Sequence, residues 1–114
     1  MIVNDIVRAL NLQVVAGAGS LDRETTGGYS ADLLSCVMAR ARASNVWITL
    51  QAHPNVLAVA VLLELAAVIV GEGAPIPDDV RAKADAEGVA LLATPHTTFW
   101  VISQLARLGV AAQE

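Results

Sequence analysis

The sequence predicts an α/β domain in three layers, a mostly parallel sheet of about four strands with helices on both faces. Three observations predict it. Short apolar runs recur at residues 12–16, 45–50, 67–70 and 89–93, and they are continuous instead of alternating, the pattern of strands covered on both faces. Each run is followed by a polar break and then a helix-like stretch, as in chains that link parallel strands through crossover helices. Hydrophobic residues make up 55% and charged residues 16% of the 114, which excludes a disordered chain and suits a single domain over residues 1–114.

Taken in order, Ile2, Val3, Ile6, Val7 and Leu10 recur at helical spacing, with Asn4 as a candidate cap. Leu12 to Ala16 is the first strand, ended by Gly17. A polar, glycine-rich loop follows over residues 17–28, and Leu33, Leu34, Val37, Met38 and Ala41 then predict an amphipathic helix from Tyr29 to Arg42. Asn45 to Leu50, rich in β-branched and aromatic residues, is the second strand. Pro54 suits the first position of a helix over 54–65. That helix is apolar nearly all round, so it is expected to lie between the sheet and something else, for which a partner subunit is a candidate. Ala67 to Val70 is the third strand. Pro77-Asp78-Asp79 opens the next helix with acids where the helix dipole favours them, and Gly88 closes it in a left-handed cap. Val89 to Ala93 is the fourth strand, Thr94-Pro95 opens a final helix ending near Gly109, and the tail Val110 to Glu114 is expected to fray.

Several function classes drop out on composition. Net charge is −4 and the seven basic residues are scattered, so the basic footprint of a nucleic-acid binder is missing. Cys36 is the only cysteine, which excludes an intramolecular disulfide and points to a reducing compartment. The longest apolar run, Val56 to Val70, contains Glu64 and falls short of the ~20 residues that span a bilayer. It is better divided into a helix and a strand. With no signal-peptide pattern at the start, the expectation is a cytoplasmic protein that does not engage membranes.

In open parallel sheets, ligands meet the loops that leave the carboxyl ends of the strands. If all strands run parallel, those loops are 17–28, 51–55, 71–76 and 94–97, and they hold the candidate site residues: Gly17, Gly19, Asp22, Arg23, Thr26, Gly27, Gly28, His53, Asn55 and His96. Thr26-Gly27-Gly28 is expected to enter a helix N-terminus, where free N–H groups favour an anion, and Arg23 could add a charge-assisted hydrogen bond to phosphate or carboxylate. The alternative is structural: Asp22 pairs with Arg23 or across a subunit boundary, and the threonines cap the helix. The familiar nucleotide motifs fail. Gly17-Ala18-Gly19 is not completed, because Asp22 stands where G-x-G-x-x-G needs glycine, and no G-x-x-x-x-G-K-[ST] occurs. His53 and His96 both follow strands, but they lack the further ligands of a metal site, and no cofactor is expected. Cys36, Trp47 and Trp100 sit in apolar patterns as packing residues.

The stretch Asp22-Arg23-Glu24-Thr25-Thr26-Gly27-Gly28 resembles the loop for which the DRTGG domain family is named. Tyr29, Asp32-Leu33-Leu34, Trp47-Ile48-Thr49 and His53-Pro54-Asn55 extend the resemblance over essentially the whole chain. Glu24 and Thr25 lengthen the spacing relative to the literal name. Similar domains occur beside CBS-pair pyrophosphatases and in phosphate acetyltransferases, and they are related in fold to the N-terminal domain of HPr kinase/phosphorylase. The resemblance implies an α/β regulatory or protein-interaction domain, non-catalytic, acting as a homodimer or on a regulated protein partner. It implies no kinase activity, because the phosphate-binding loop of that relative belongs to another domain. A sensor of a nucleotide or phosphorylated metabolite is the second expectation, with Arg23, Thr26, Gly27 and Gly28 as contacts. An enzyme using His53 or His96 with Asp22 is the third.

Overall fold

In the computed structural model, which describes all 114 residues, the chain begins with α1 (Val3–Leu10), β1 (Gln13–Ala16), β2 (Gly27–Ser30) and α2 (Leu34–Arg40). It continues through β3 (Asn45–Thr49), α3 (Pro54–Leu62), β4 (Ala67–Val70), α4 (Asp78–Glu87), β5 (Leu91–Ala93) and α5 (Thr98–Arg107). The strands form one sheet in the order β1-β5-β4-β3-β2. β2, β3, β4 and β5 are parallel, and β1 pairs with β5 antiparallel. The three-layer, mostly parallel architecture is the expected one, with one strand more.

Side-chain alternation assigns the two faces. In β4, Val68 and Val70 face one way and Ala67 and Ile69 the other, the period of two that a pleated strand imposes. The first face packs on α2, α3 and α4 through Val37, Leu57, Ala60, Val80 and Ala84, around Trp47. The second packs on α1 and α5 through Val3, Ile6, Leu10, Val101 and Leu105. Trp47 is fully buried and its Nε1–H donates to Ala31 O at 2.9 Å, so the indole has its hydrogen bond as well as its packing. The apolar stretch from Val56 to Val70 divides into α3 and β4 as expected, and no helix is long and apolar enough to cross a membrane.

The departures have local causes. Residues 27–30, expected to enter a helix, form β2, where Gly27 to Ser30 pair in register with Asn45 to Ile48. Two adjacent glycines are poor helix formers, and an amphipathic pattern starting at Leu33 cannot tell where its first turn begins. The helix expected over 29–42 is therefore only α2. α3 stops at Leu62 instead of residue 65, because Glu64 turns the chain with a φ of 56°. α1 begins after Ile2, not at Asn4, and its first turn is closed by Asp5, whose Oδ2 accepts from the Ile2 N–H at 2.9 Å. α5 is capped by Thr97, whose Oγ1 accepts from the Trp100 N–H, whereas Thr94 is buried and accepts from the His96 N–H. Nor is the tail frayed. Gly28 N–H donates to Ala111 O at 2.8 Å and Gln113 N–H to Gly28 O at 2.9 Å, so residues 110–113 cover part of the β2 edge.

Deleting residues 110–114 removes both tail hydrogen bonds and uncovers Gly28. At about 0.5–1.5 kcal/mol for each bond, the truncated chain is expected to lose roughly 1–3 kcal/mol of stability. The measurement is urea unfolding followed by tryptophan fluorescence; an unchanged midpoint would mean that the tail contributes nothing.

Candidate functional site

β1 and β2 are the two edges of the sheet, and β1 runs opposite to its neighbours. The segment joining them therefore crosses the full width of the sheet, under the amino ends of the parallel strands. Four inter-strand spacings make that crossing about 19 Å. Its contacts follow the strand order. Below β5, the Gly17 N–H donates to Asp85 Oδ1 at 2.8 Å and Ser20 Oγ donates to Gly88 O at 2.6 Å. Below β4, Arg23 Nη1 donates to Leu65 O at 3.1 Å. Below β3, the Thr26 N–H donates to Ser44 O and Thr26 Oγ1 donates to Ala43 O, both at 3.0 Å. The same hydroxyl accepts from Asn45 Nδ2 at 3.1 Å, and Asn45 Oδ1 accepts from the Arg42 N–H, so buried Asn45 is satisfied at both ends. On its outer side the segment holds the start of the chain, with Val3 N–H donating to Arg23 O and Asn4 N–H to Leu21 O.

Two of its glycines answer to close approach. Gly17 has a φ of 73°, and a Cβ there would lie 1.9 Å from the Val89 carbonyl oxygen. A Cβ on Gly27 would meet Ala111 O at 3.0 Å, where the tail closes on β2. Gly19, in contrast, has open space around it, and a Cβ there would meet nothing within 4 Å. Asp22 is exposed and does not pair with Arg23: the ion pairs of the chain are the Met1 amino group with Glu24 and Arg81 with Asp78.

These positions correct the expectation of one site. Placing the 17–28 loop at the carboxyl ends of the strands, with the histidines, would hold only if β1 ran parallel. Gly17, Gly19, Asp22, Arg23, Thr26, Gly27 and Gly28 instead lie at the amino ends or on β2, while His53, Asn55 and His96 lie at the carboxyl ends. Thr26-Gly27-Gly28 leads into a strand, so there is no helix N-terminus for an anion at that point. At the other end of the sheet, His53 Nδ1 accepts from the Asn55 N–H at 3.1 Å and caps α3. His96 stacks on Trp100, with ring centroids 3.8 Å apart and planes 16° from parallel. Asp32 Oδ1 accepts from Thr49 Oγ1 and from the Leu50 N–H, both at 2.7 Å, and Glu72 Oε2 accepts from the Thr98 N–H at 2.8 Å. No group of His, Cys, Asp and Glu could hold a metal ion.

Between the crossing segment, α3 and α4 lies an open cleft of about 390 Å³. Its apolar floor is Ala60, Val61, Leu65 and Val89, and its polar lining is Arg23, Glu24, Ser44, Glu64 and Glu87. Against one guanidinium that already donates to Leu65 O, the lining sets Glu64 and Glu87 unpaired and Glu24 paired with the Met1 amino group, a balance that suits a cationic guest better than phosphate. Residue-by-residue reading missed Glu64 and Glu87 as site residues. The available signal was Glu64 itself, the one charge inside the apolar run.

The family model described as "DRTGG domain" matches residues 5–108. No curated protein sequence matches the chain. Among solved structures, the fold is similar to the CBS and DRTGG domains of the regulatory region of Clostridium perfringens pyrophosphatase, solved with its activator diadenosine tetraphosphate. The TM-score is 0.70 at 12% identity, covering 97% of this chain and 50% of that one, so the chain spans about half the length of its neighbour.

The contrast between Gly17 and Gly19 tests the crossing segment. Gly17→Ala is expected to lose about 2–5 kcal/mol, from a left-handed backbone and a collision with main chain that cannot yield cheaply. Gly19→Ala is expected to stay within about 0.5 kcal/mol of the parent. Paired urea titrations read both; equal effects would overturn the assignment of these glycines.

Proposed function

The chain belongs to the DRTGG domain family, and from that premise we propose that it is a non-catalytic regulatory and protein-interaction domain that works as a homodimer. The observation that carries the reading is the outer side of α3. Residues 54–62 contain no charge, and Val61 and Leu62 are 44% and 66% exposed. A crossover helix on a monomer carries a polar outer face, as α4 does with Asp79, Arg81 and Glu87. An outward apolar stripe marks a surface that another protein covers. The polar residues that distinguish the sequence support the non-catalytic part: Ser20, Arg23 and Thr26 are engaged with main-chain carbonyls, and His53 with the start of α3. Their chemistry is used to hold the fold.

Size-exclusion chromatography with light scattering, at about ten micromolar and above, is expected to give twice the 11.8 kDa chain mass. A strict monomer across that range would overturn the homodimer.

The second reading is a sensor of a nucleotide or phosphorylated metabolite. It is favoured by the activator bound in the regulatory region of the similar pyrophosphatase, and by the stacked His96–Trp100 pair, which offers an aromatic surface at the carboxyl ends of the strands. The acidic cleft around Arg23 is a poor host for the same ligand. Thermal unfolding with diadenosine tetraphosphate, ATP and inorganic phosphate separates the readings. A ligand present at 100 times its Kd adds about 2.7 kcal/mol and raises the unfolding midpoint by several degrees. No shift with millimolar ligand is the result expected of an interaction domain; a saturable rise would favour the sensor.

A further inference from the structure

We propose that a second copy of this chain docks on the face formed by α2, α3 and α4, with the two-fold axis running along α3. Each α3 then packs beside its own image in the same direction, and the basic end of α2 in one protomer meets the acidic cleft of the other. This rests on the homodimer reading and specifies its surface and symmetry.

The stripe comes first. Asn55, Ala58, Val61 and Leu62 are the exposed residues of α3, spaced three and four apart, so they form one line along the helix. α2 and α4 flank it on the same face of the sheet, because β2, β3, β4 and β5 are neighbours in chain order and all three crossovers lie on one side. The charges are unequal about that line. At its carboxyl end, the α2 side carries exposed Arg40 and Arg42, while the cleft between α3 and α4 carries Glu64 and Glu87. None of these four belongs to an ion pair within the chain. Arg42 Nη1 donates to Ala39 O and Ala41 O, which holds the guanidinium at the end of α2.

Symmetry then selects the arrangement. The axis of a face-to-face dimer lies in the plane of contact, and the same patch serves both copies. An axis along α3 exchanges the two flanks and keeps the ends level, so Arg40 and Arg42 oppose the cleft with Glu64 and Glu87 twice over. An axis across α3 exchanges the ends and keeps the flanks, which sets α2 against α2 and leaves both charge groups unopposed. Only the first arrangement joins the apolar stripe and the charges in one complementary surface. The cleft, with its apolar floor and the unpaired carboxylates of Glu64 and Glu87, fits the stem and head of an arginine side chain.

Cross-linking and charge reversal test this together, on the full chain. In a Cys36→Ser background, Asn55→Cys and Leu62→Cys are each treated with a short bis-maleimide. The two positions are about 10 Å apart along the helix, so only parallel α3 helices let both join to their own copies. Efficient dimer from both variants is expected; dimer from one alone, or from neither, overturns the axis. Arg40→Glu with Arg42→Glu, and separately Glu64→Arg with Glu87→Arg, are expected to weaken the dimer about tenfold or more, with circular dichroism unchanged. An equimolar mixture of the two variants is expected to restore a heterodimer near parental affinity. A parental dimer that ignores both reversals overturns this surface and leaves the homodimer standing. A monomeric parent overturns both.

Discussion

Everything at one end of this molecule depends on a crossing. β1 and β2 are consecutive in the chain, yet they occupy opposite edges of the sheet, so the segment between them must pass beneath β5, β4 and β3. The amino ends of parallel strands present carbonyls from the turns that enter them, and a chain running beneath them would bury those groups unpaired. Ser20, Arg23 and Thr26 prevent this by donating, in sequence, to Gly88, Leu65 and Ala43. The two faces are joined by the same segment, since its outer carbonyls accept from the first turn of α1. A segment of aliphatic residues could make the crossing but could not satisfy the carbonyls.

The family signature acquires a physical meaning from this. Arg23 reaches up to the turn before β4. Thr26 uses its hydroxyl as both donor and acceptor between Ala43 and Asn45. The paired glycines make an edge strand narrow enough for the tail to lie against it. Only Asp22 has no partner within the chain. Most of a composition that looks like a phosphate loop, Ser20, Arg23, Thr26 and the close-packed Gly17 and Gly27, is thus accounted for without a phosphate.

Much of the architecture was legible in the sequence because it rests on local patterns. The continuous strands, the proline-led α3, the acid-led α4 and the left-handed Gly88 are each encoded within a few residues. What was not legible depends on pairings distant in sequence. β2 is a strand because β3 lies beside it, and nothing in Gly27-Gly28-Tyr29-Ser30 announces that neighbour. The direction of β1 is set by its antiparallel partner β5, and one wrong direction was enough to move the whole 17–28 loop to the wrong end. The tail reads as a chain end that frays, and only its pairing with the small residues of β2 reveals why it stays.

Once the crossing segment is understood as structure, exposed apolar side chains remain beside α2 (Leu33, Met38), on α5 (Phe99, Ile102) and on α3 (Val61, Leu62), and only α3 carries no charge at all among its residues. The inner side of that helix, Val56, Leu57, Val59 and Ala60, supplies its contribution to the core. Its outer residues lie outside both buried clusters, so a monomer would gain little from Val61 and Leu62 over charged residues at the same positions. The apolar character of Val61 and Leu62 adds nothing to either core. The crossing segment bears on this too: Arg23 and Glu24 form one wall of the cleft that opens beside Val61. The stretch that gives the family its name thus shapes the border of the exposed apolar side of α3, by holding that wall in place beneath the sheet.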